Sequence, residues 1–177
     1  MNNIYLIGFM GSGKSAVAAY LMRQYGIPRV EMDREIESEY GMTIPEIFER
    51  EGEGAFRQKE TLLLRKIAER EEVVVSCGGG VPTREENVEL MRNSGRIILL
   101  TASPETILAR VRRSDNRPVL QGRKNIDAIR ELMEKRRECY ENAADCVVST
   151  DGRTIAEVAE EVRSLLFRTA PRGTEMP

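Results

Sequence analysis

Residues 8–15 read Gly8-Phe9-Met10-Gly11-Ser12-Gly13-Lys14-Ser15 and fit the phosphate-loop pattern Gly-x-x-x-x-Gly-Lys-[Ser/Thr]. The chemistry of that spacing is capture of a nucleotide's phosphates. Glycines let the backbone curl so that its N–H groups point inward, and a following helix N-terminus adds partial positive charge. Lys14 can reach the β- and γ-phosphates, and the Ser15 hydroxyl can ligate Mg²⁺. Elsewhere the chain lacks histidine, so there is no Ser-His nucleophile and acid-base work falls to Asp, Glu, Lys, Tyr or Cys. Cys77, Cys139 and Cys146 are odd in number, form no Cys-x-x-Cys pair and read as free thiols.

The elements around these residues must hold them at one place. A β-prone run at 4–7 leads into the phosphate loop, and a helix-forming run at 15–24 leads out, burying Val17 and Leu21 and ending at Gly26. Residues 30–32 read as a short strand ending at Asp33, followed by a helix that stops near Gly41. Thr43-Ile44-Pro45-Glu46 is a capping box for a short helix to Gly52, and the helical pattern resumes from Ala55. Residues 71–77 contain Val73-Val74-Val75, a buried parallel strand, and end in Gly78-Gly79-Gly80. Three glycines there call for positive φ or for something that approaches closer than a Cβ allows.

Thr83-Arg84-Glu85-Glu86 reads as a second capping box, for a helix with Val88 and Met91 closed by Gly95. Residues 97–100 form the next strand, and Ser103-Pro104-Glu105 opens another helix. Residues 112–124 are basic, poor in apolar side chains and broken by Pro118 and Gly122, a composition suited to a mobile lid over phosphates. A helix over 127–140, a strand over 146–149 and a capping box at Thr154-Ile155-Ala156-Glu157 follow. The closing helix places Ile155, Val158, Val162 and Leu165 on one face, and the tail 167–177 reads as disordered. The expected fold is α/β: a three-layer α/β/α arrangement around a five-stranded parallel sheet, with ligands at the C-terminal strand ends.

At 177 residues the chain reads as one domain, and its net charge of −2 argues against general affinity for nucleic acid or anionic membrane. It has no apolar run long enough to span a bilayer and no leader pattern, so a cytoplasmic location is expected.

With these residues in view the chain resembles the shikimate kinases, a branch of the nucleoside-monophosphate-kinase-like P-loop enzymes. The likeness extends over 3–166. It rests on the phosphate loop, Asp33 with Ile36-Glu37, Ile47-Phe48, Phe56-Arg57, Gly78-Gly79-Gly80, Arg117-Pro118-Val119-Leu120, and 133–140 with Lys135-Arg136. The resemblance implies a single P-loop kinase domain over 1–166, with a substrate-binding lobe about 33–61 and a lid about 112–124. It implies transfer of the γ-phosphoryl group of ATP, with Mg²⁺, to the 3-hydroxyl of shikimate by a cytoplasmic monomer.

By that resemblance Arg57 and Arg136 clamp the substrate carboxylate, Glu60 supports them, and Asp33 accepts from the ring hydroxyls and serves as base. Gly78, Gly79 and Gly80 present backbone to the substrate. Gly11, Ser12, Gly13, Lys14, Ser15 and Ala16 hold the phosphates, Arg117 reaches the transferring group from the lid, and Arg110 and Arg153 flank the adenine. Glu31 stands where the family has Asp, so its implied contact with Mg²⁺ runs through water. The alternatives are another kinase of this fold, such as a gluconate kinase, and a non-catalytic nucleotide-binding regulator.

Overall fold

In a computed structural model of the chain, which describes residues 3–112 and 125–167, every residue of the first strand is buried. Side chains along a strand alternate between its faces, and here both faces are covered. Strand β1 (Asn3–Ile7) sends Ile4 and Leu6 to one side, where α1 (Lys14–Tyr25) and α7 (Ile155–Phe167) contribute Val17, Leu21, Val158 and Val162. Tyr5 and Ile7 go to the other side. They join a second core with residues from α2 (Met32–Tyr40), α3 (Ile44–Ala68), α4 (Glu85–Ser94), α5 (Pro104–Val111) and α6 (Ile126–Ala143).

The sheet is parallel throughout, in the order β2-β3-β1-β4-β5, with β2 at Arg29–Glu31, β3 at Val74–Ser76, β4 at Gly95–Thr101 and β5 at Cys146–Ser149. This is the expected three-layer fold. The chain leaves β1 toward β2 but leaves β3 toward β4, and such divergence opens a crevice above the carboxyl ends of the strands. The phosphate loop follows β1 and the three glycines follow β3, so both line that crevice.

Local chemistry sets the boundaries. Thr43 and Glu46 form their capping box, and so do Thr154 and Glu157. Gly26 and Gly41 end α1 and α2 in the left-handed region. Gly52 is non-helical, with φ 84°, and divides α3 where the sequence reading ended one helix and resumed the next.

Three expectations need correction. Thr83 does not cap α4; it ends a 3₁₀ turn (Val81–Thr83), where its hydroxyl donates to Gly80 O at 2.6 Å, and Arg84 takes the cap position without a side-chain bond. Gly95 closes α4 as expected, and in its extended conformation it also starts β4. Met32 begins α2 instead of ending β2, which moves Asp33 into the first helical turn. Ile155, the first residue of α7, is exposed, and Ala159 joins Val158 and Val162 inside. Among the described residues no helix is long and apolar enough to cross a membrane. The tail from 168, and all of the proposed lid at 112–124 except Arg112, lie outside the described residues.

Candidate active site

The phosphate loop is held by close packing. Gly8 has φ +140°, and a Cβ there would come within 2.3 Å of Leu100 O, so only glycine lets the loop leave β1 beside β4. Gly13 caps α1 in the left-handed region with φ 102°. Lys14 is buried, and its ammonium donates to Gly8 O at 2.8 Å and Phe9 O at 3.1 Å, which anchors the charge across the loop. Ser12, within the loop, is fully buried, and Ala16 lies in the first turn of α1.

Arg110 was expected at the adenine. Its guanidinium donates to Gly11 O at 2.9 Å and to Thr150 Oγ1 at 3.0 Å, tying the phosphate loop to the end of β5. Arg153 bonds to Ser149 O and to the carboxylate of Glu161 in α7. Both arginines therefore fasten loops at the strand ends on this rim. Arg117 lies outside the described residues.

Where β2 ends, the carboxylate of Glu31 meets the loop. Ser15 Oγ donates to Glu31 Oε2 at 2.9 Å and lies 3.2 Å from Ser76 Oγ, so the ends of β1, β2 and β3 converge on one oxygen-rich point. The second oxygen, Glu31 Oε1, is buried and accepts no hydrogen bond among the described residues; Arg29 is 3.7 Å away. A hard cation seeks such a set of hydroxyl and carboxylate oxygens with room for water, and the residues fit Mg²⁺.

The other half of the crevice is built on Gly78, Gly79 and Gly80. Each glycine leaves room for charged side chains, two at Gly78 and one each at Gly79 and Gly80. A Cβ on Gly78 would lie 2.6 Å from Glu60 Oε1 and 3.0 Å from Asp33 Oδ1. One on Gly79 would lie 3.1 Å from Arg136 Nη1, and one on Gly80 only 2.0 Å from Arg57 Nη1. The close approach inferred from sequence is thus made by the protein's own ionic groups, which the loop draws together from α2, α3 and α6.

Within this cluster Arg57 Nη1 donates to Glu60 Oε2 at 2.7 Å, and Glu53 holds the other side of the guanidinium at 3.0 Å. Phe56 packs on Phe48 with ring centroids 5.0 Å apart, fixing the turn of α3 that carries Arg57. Glu60 is 1% exposed, and its Oε1 has no hydrogen-bond partner among the described residues. Burial pushes its carboxyl up to about 7; the Arg57 charge and hydrogen bond oppose the rise, Asp33 adds to it and Arg136 lessens it.

Sequence reading gave Tyr140 no role, yet its hydroxyl donates to Gly79 O at 2.6 Å and bonds with the Arg136 side chain. A phenol spaced four residues from an arginine on one helix was the available signal. A cavity of about 620 Å³ bounded by Phe9, Leu99, Pro104, Met133, Arg137 and Tyr140 adjoins this region. None of the predicted site residues among the described residues lines it; the convergence of charged groups, and not cavity size, marks the site.

A phosphate cradle at one end of a crevice, facing paired arginines and carboxylates at the other, defines a P-loop kinase for a small anionic acceptor. Comparison with known proteins narrows the class. The shikimate kinase family model matches residues 10–166, and the chain belongs to that family. It is 38% identical over 165 residues to the shikimate kinase of Dehalococcoides mccartyi, covering 93% of each chain. It is 40% identical over 162 residues to that of Thermodesulfovibrio yellowstonii, covering 92% of this chain and 93% of the relative. The shikimate kinase of Acinetobacter baumannii, solved in complex with shikimate, superposes with a TM-score of 0.88 at 35% identity, over 94% of this chain and 93% of that one.

Proposed function

We infer that this protein transfers the γ-phosphoryl group of ATP to the 3-hydroxyl of shikimate, giving shikimate 3-phosphate and ADP. The observation that carries the assignment is the meeting of Arg57, Arg136, Asp33 and Glu60 on three consecutive glycines. Two forked cations suit a carboxylate, and a neighbouring Asp suits a ring hydroxyl. Family membership supports the same reading, and it favours neither the gluconate kinase nor the regulator alternative.

Phosphoryl transfer asks the protein for alignment and charge stabilisation more than for covalent chemistry. The amides from Gly11 to Ala16 receive the phosphates, and Lys14 brings its charge to the β- and γ-phosphates. Arg57 and Arg136 hold the substrate carboxylate and so set the ring's direction. Gly78, Gly79 and Gly80 line the cleft with backbone that admits the side chains and the ring together. Asp33, with no histidine in the chain to compete, accepts the hydroxyl's hydrogen bond, orients the attacking oxygen and takes its proton. Glu60 keeps Arg57 in its rotamer. Ser15, with Glu31 through water, would hold Mg²⁺, which when bound neutralises charge across the β- and γ-phosphates.

The working unit is one kinase domain over 1–166, a cytoplasmic monomer whose segment 33–61 forms the substrate lobe. The test is ADP release by purified protein with shikimate or gluconate as acceptor. Release with shikimate alone is the expected result, and turnover of gluconate but not shikimate would overturn the assignment. Arg136→Ala should then raise the shikimate KM by roughly 10- to 100-fold, the loss of a charge-assisted pair, with ATP binding unchanged.

A further inference from the structure

We propose that Thr61, Asn87 and Arg84 are positioning residues for the shikimate carboxylate, acting as a brace that fixes Arg57 against the Gly80 turn. The proposal deepens the reading above and rests on Arg57 binding that carboxylate.

Arg57 stands on α3, whereas the glycine it presses against belongs to the loop after β3. Something must hold these two backbones in register. Asn87, on α4, is fully buried, and its Nδ2 donates to Val81 O at 3.0 Å, one residue beyond Gly80. That bond turns its Oδ1 toward α3, where Thr61 Oγ1 donates to it at 2.8 Å. The same hydroxyl lies 3.1 Å from Arg57 O. Arg84 closes the circuit, its Nη1 donating to Arg57 O at 3.1 Å and to Thr61 Oγ1 at 3.2 Å.

The circuit runs from the Arg57 carbonyl to the Val81 carbonyl through groups that touch no substrate-facing atom. On the opposite side the Arg57 guanidinium sits where a Gly80 Cβ would intrude to 2.0 Å. With so little clearance, a slide of α3 by a fraction of an ångström turns the fork away from its ligand. Thr61 is 5% exposed, so loss of its hydroxyl leaves Asn87 Oδ1 without its donor in a buried place. Because Arg57 acts on a part of the substrate remote from the reacting bond, the loss falls on KM and not on kcat.

Thr61→Val keeps the shape and removes the hydroxyl, Thr61→Ser keeps the hydroxyl, and Arg84→Met opens the circuit from the half-exposed side. The expected result is a rise of about tenfold in shikimate KM for Thr61→Val and Arg84→Met, with kcat and ATP KM within about twofold of wild type and Thr61→Ser near wild type. If Thr61→Val does not fold, Arg84→Met decides alone. An unchanged shikimate KM in the folded variants, a parallel rise in both KM values, or an equal defect in Thr61→Ser overturns the brace. Arg57→Ala separates the two levels. An unaltered shikimate KM in that variant overturns the carboxylate assignment and the brace with it, whereas a defect there with normal brace variants overturns the brace alone.

Discussion

The Arg57 guanidinium occupies the space in which Gly80 would carry a side chain, its Nη1 2.0 Å from the position of a Cβ. Gly80 has φ −95° and ψ −9°, a conformation any residue adopts, so the glycine is required by its neighbour and not by its backbone. What must move in Gly80→Ala is the far end of a flexible side chain. The variant should fold with nearly native melting temperature while its shikimate KM rises by roughly 10- to 100-fold. A Tm scan beside steady-state kinetics separates these outcomes.

Gly8 gives the opposite result. Its Cβ would meet the backbone oxygen Leu100 O at 2.3 Å with φ at +140°, and neither the sheet nor the strand can yield. Gly8→Ala should cost about 2 to 4 kcal/mol of stability and weaken ATP and shikimate together, as chemical denaturation and binding titrations would read.

Glu60 makes stability depend on pH. Burial, outweighing the Arg57 charge, raises its folded-state value from 4.5 to about 7. Between those values the native protein retains a proton that the unfolded chain has released. The contribution of this group is complete below about 4.5 and is lost as pH rises through about 7. Glu60→Gln cannot release that proton, so the stability of wild type relative to the variant should fall by about 3 kcal/mol across this window, read by urea unfolding at several pH values. A constant difference would contradict the assignment.

Glu31 offers a metal-linked readout. Its carboxylate accepts from Ser15 Oγ, while its buried Oε1 accepts no hydrogen bond among the described residues. Glu31→Gln should raise the Mg²⁺ concentration for half-maximal activity about tenfold, leaving shikimate KM in place at saturating metal. Glu31→Asp, which keeps the charge, should restore most of the metal response.

Tyr140→Phe removes one oxygen from the Arg136 side of the cleft. The hydroxyl donates to Gly79 O, so its lone pairs are what it offers Arg136. Shikimate KM should rise about fivefold with unchanged ATP KM, a modest loss because Arg136 keeps its charge while the phenol's bonds to it and to Gly79 O go.

Much of this was legible in the sequence because it is written in short-range patterns. The phosphate loop, the buried valines at 73–75, the helix break at Gly52 and the boxes at Thr43 and Thr154 each depend on residues within a few positions of one another. Thr83 failed because its pattern is real but its backbone is not free. The chain leaves the glycines in a tight 3₁₀ turn that includes Thr83, so the cap position falls one residue later, on Arg84, and the Thr83 hydroxyl donates back to Gly80 O. Ile155 failed because a first-turn residue can point past the sheet's edge even when its periodicity matches. The three glycines were recognised as a close approach, but what approaches was not legible. Glu60, Arg136 and Arg57 are brought to them by packing of α3 and α6, and no local pattern encodes it. The Thr61–Asn87 bond spans 26 positions and is equally silent.

The seating of four ionic groups on Gly78, Gly79 and Gly80 also constrains how such a cleft can change its acceptor. A side chain gained on the loop displaces a charge already there, so a bulkier residue at Gly80 needs a shorter partner at 57, and one at Gly79 needs the same at 136. Single substitutions on this wall lose function before a second can restore it. New acceptor specificity is therefore reached through coupled pairs, and a library that varies 57 with 80 and 136 with 79 would sample them where one-position scans find only losses.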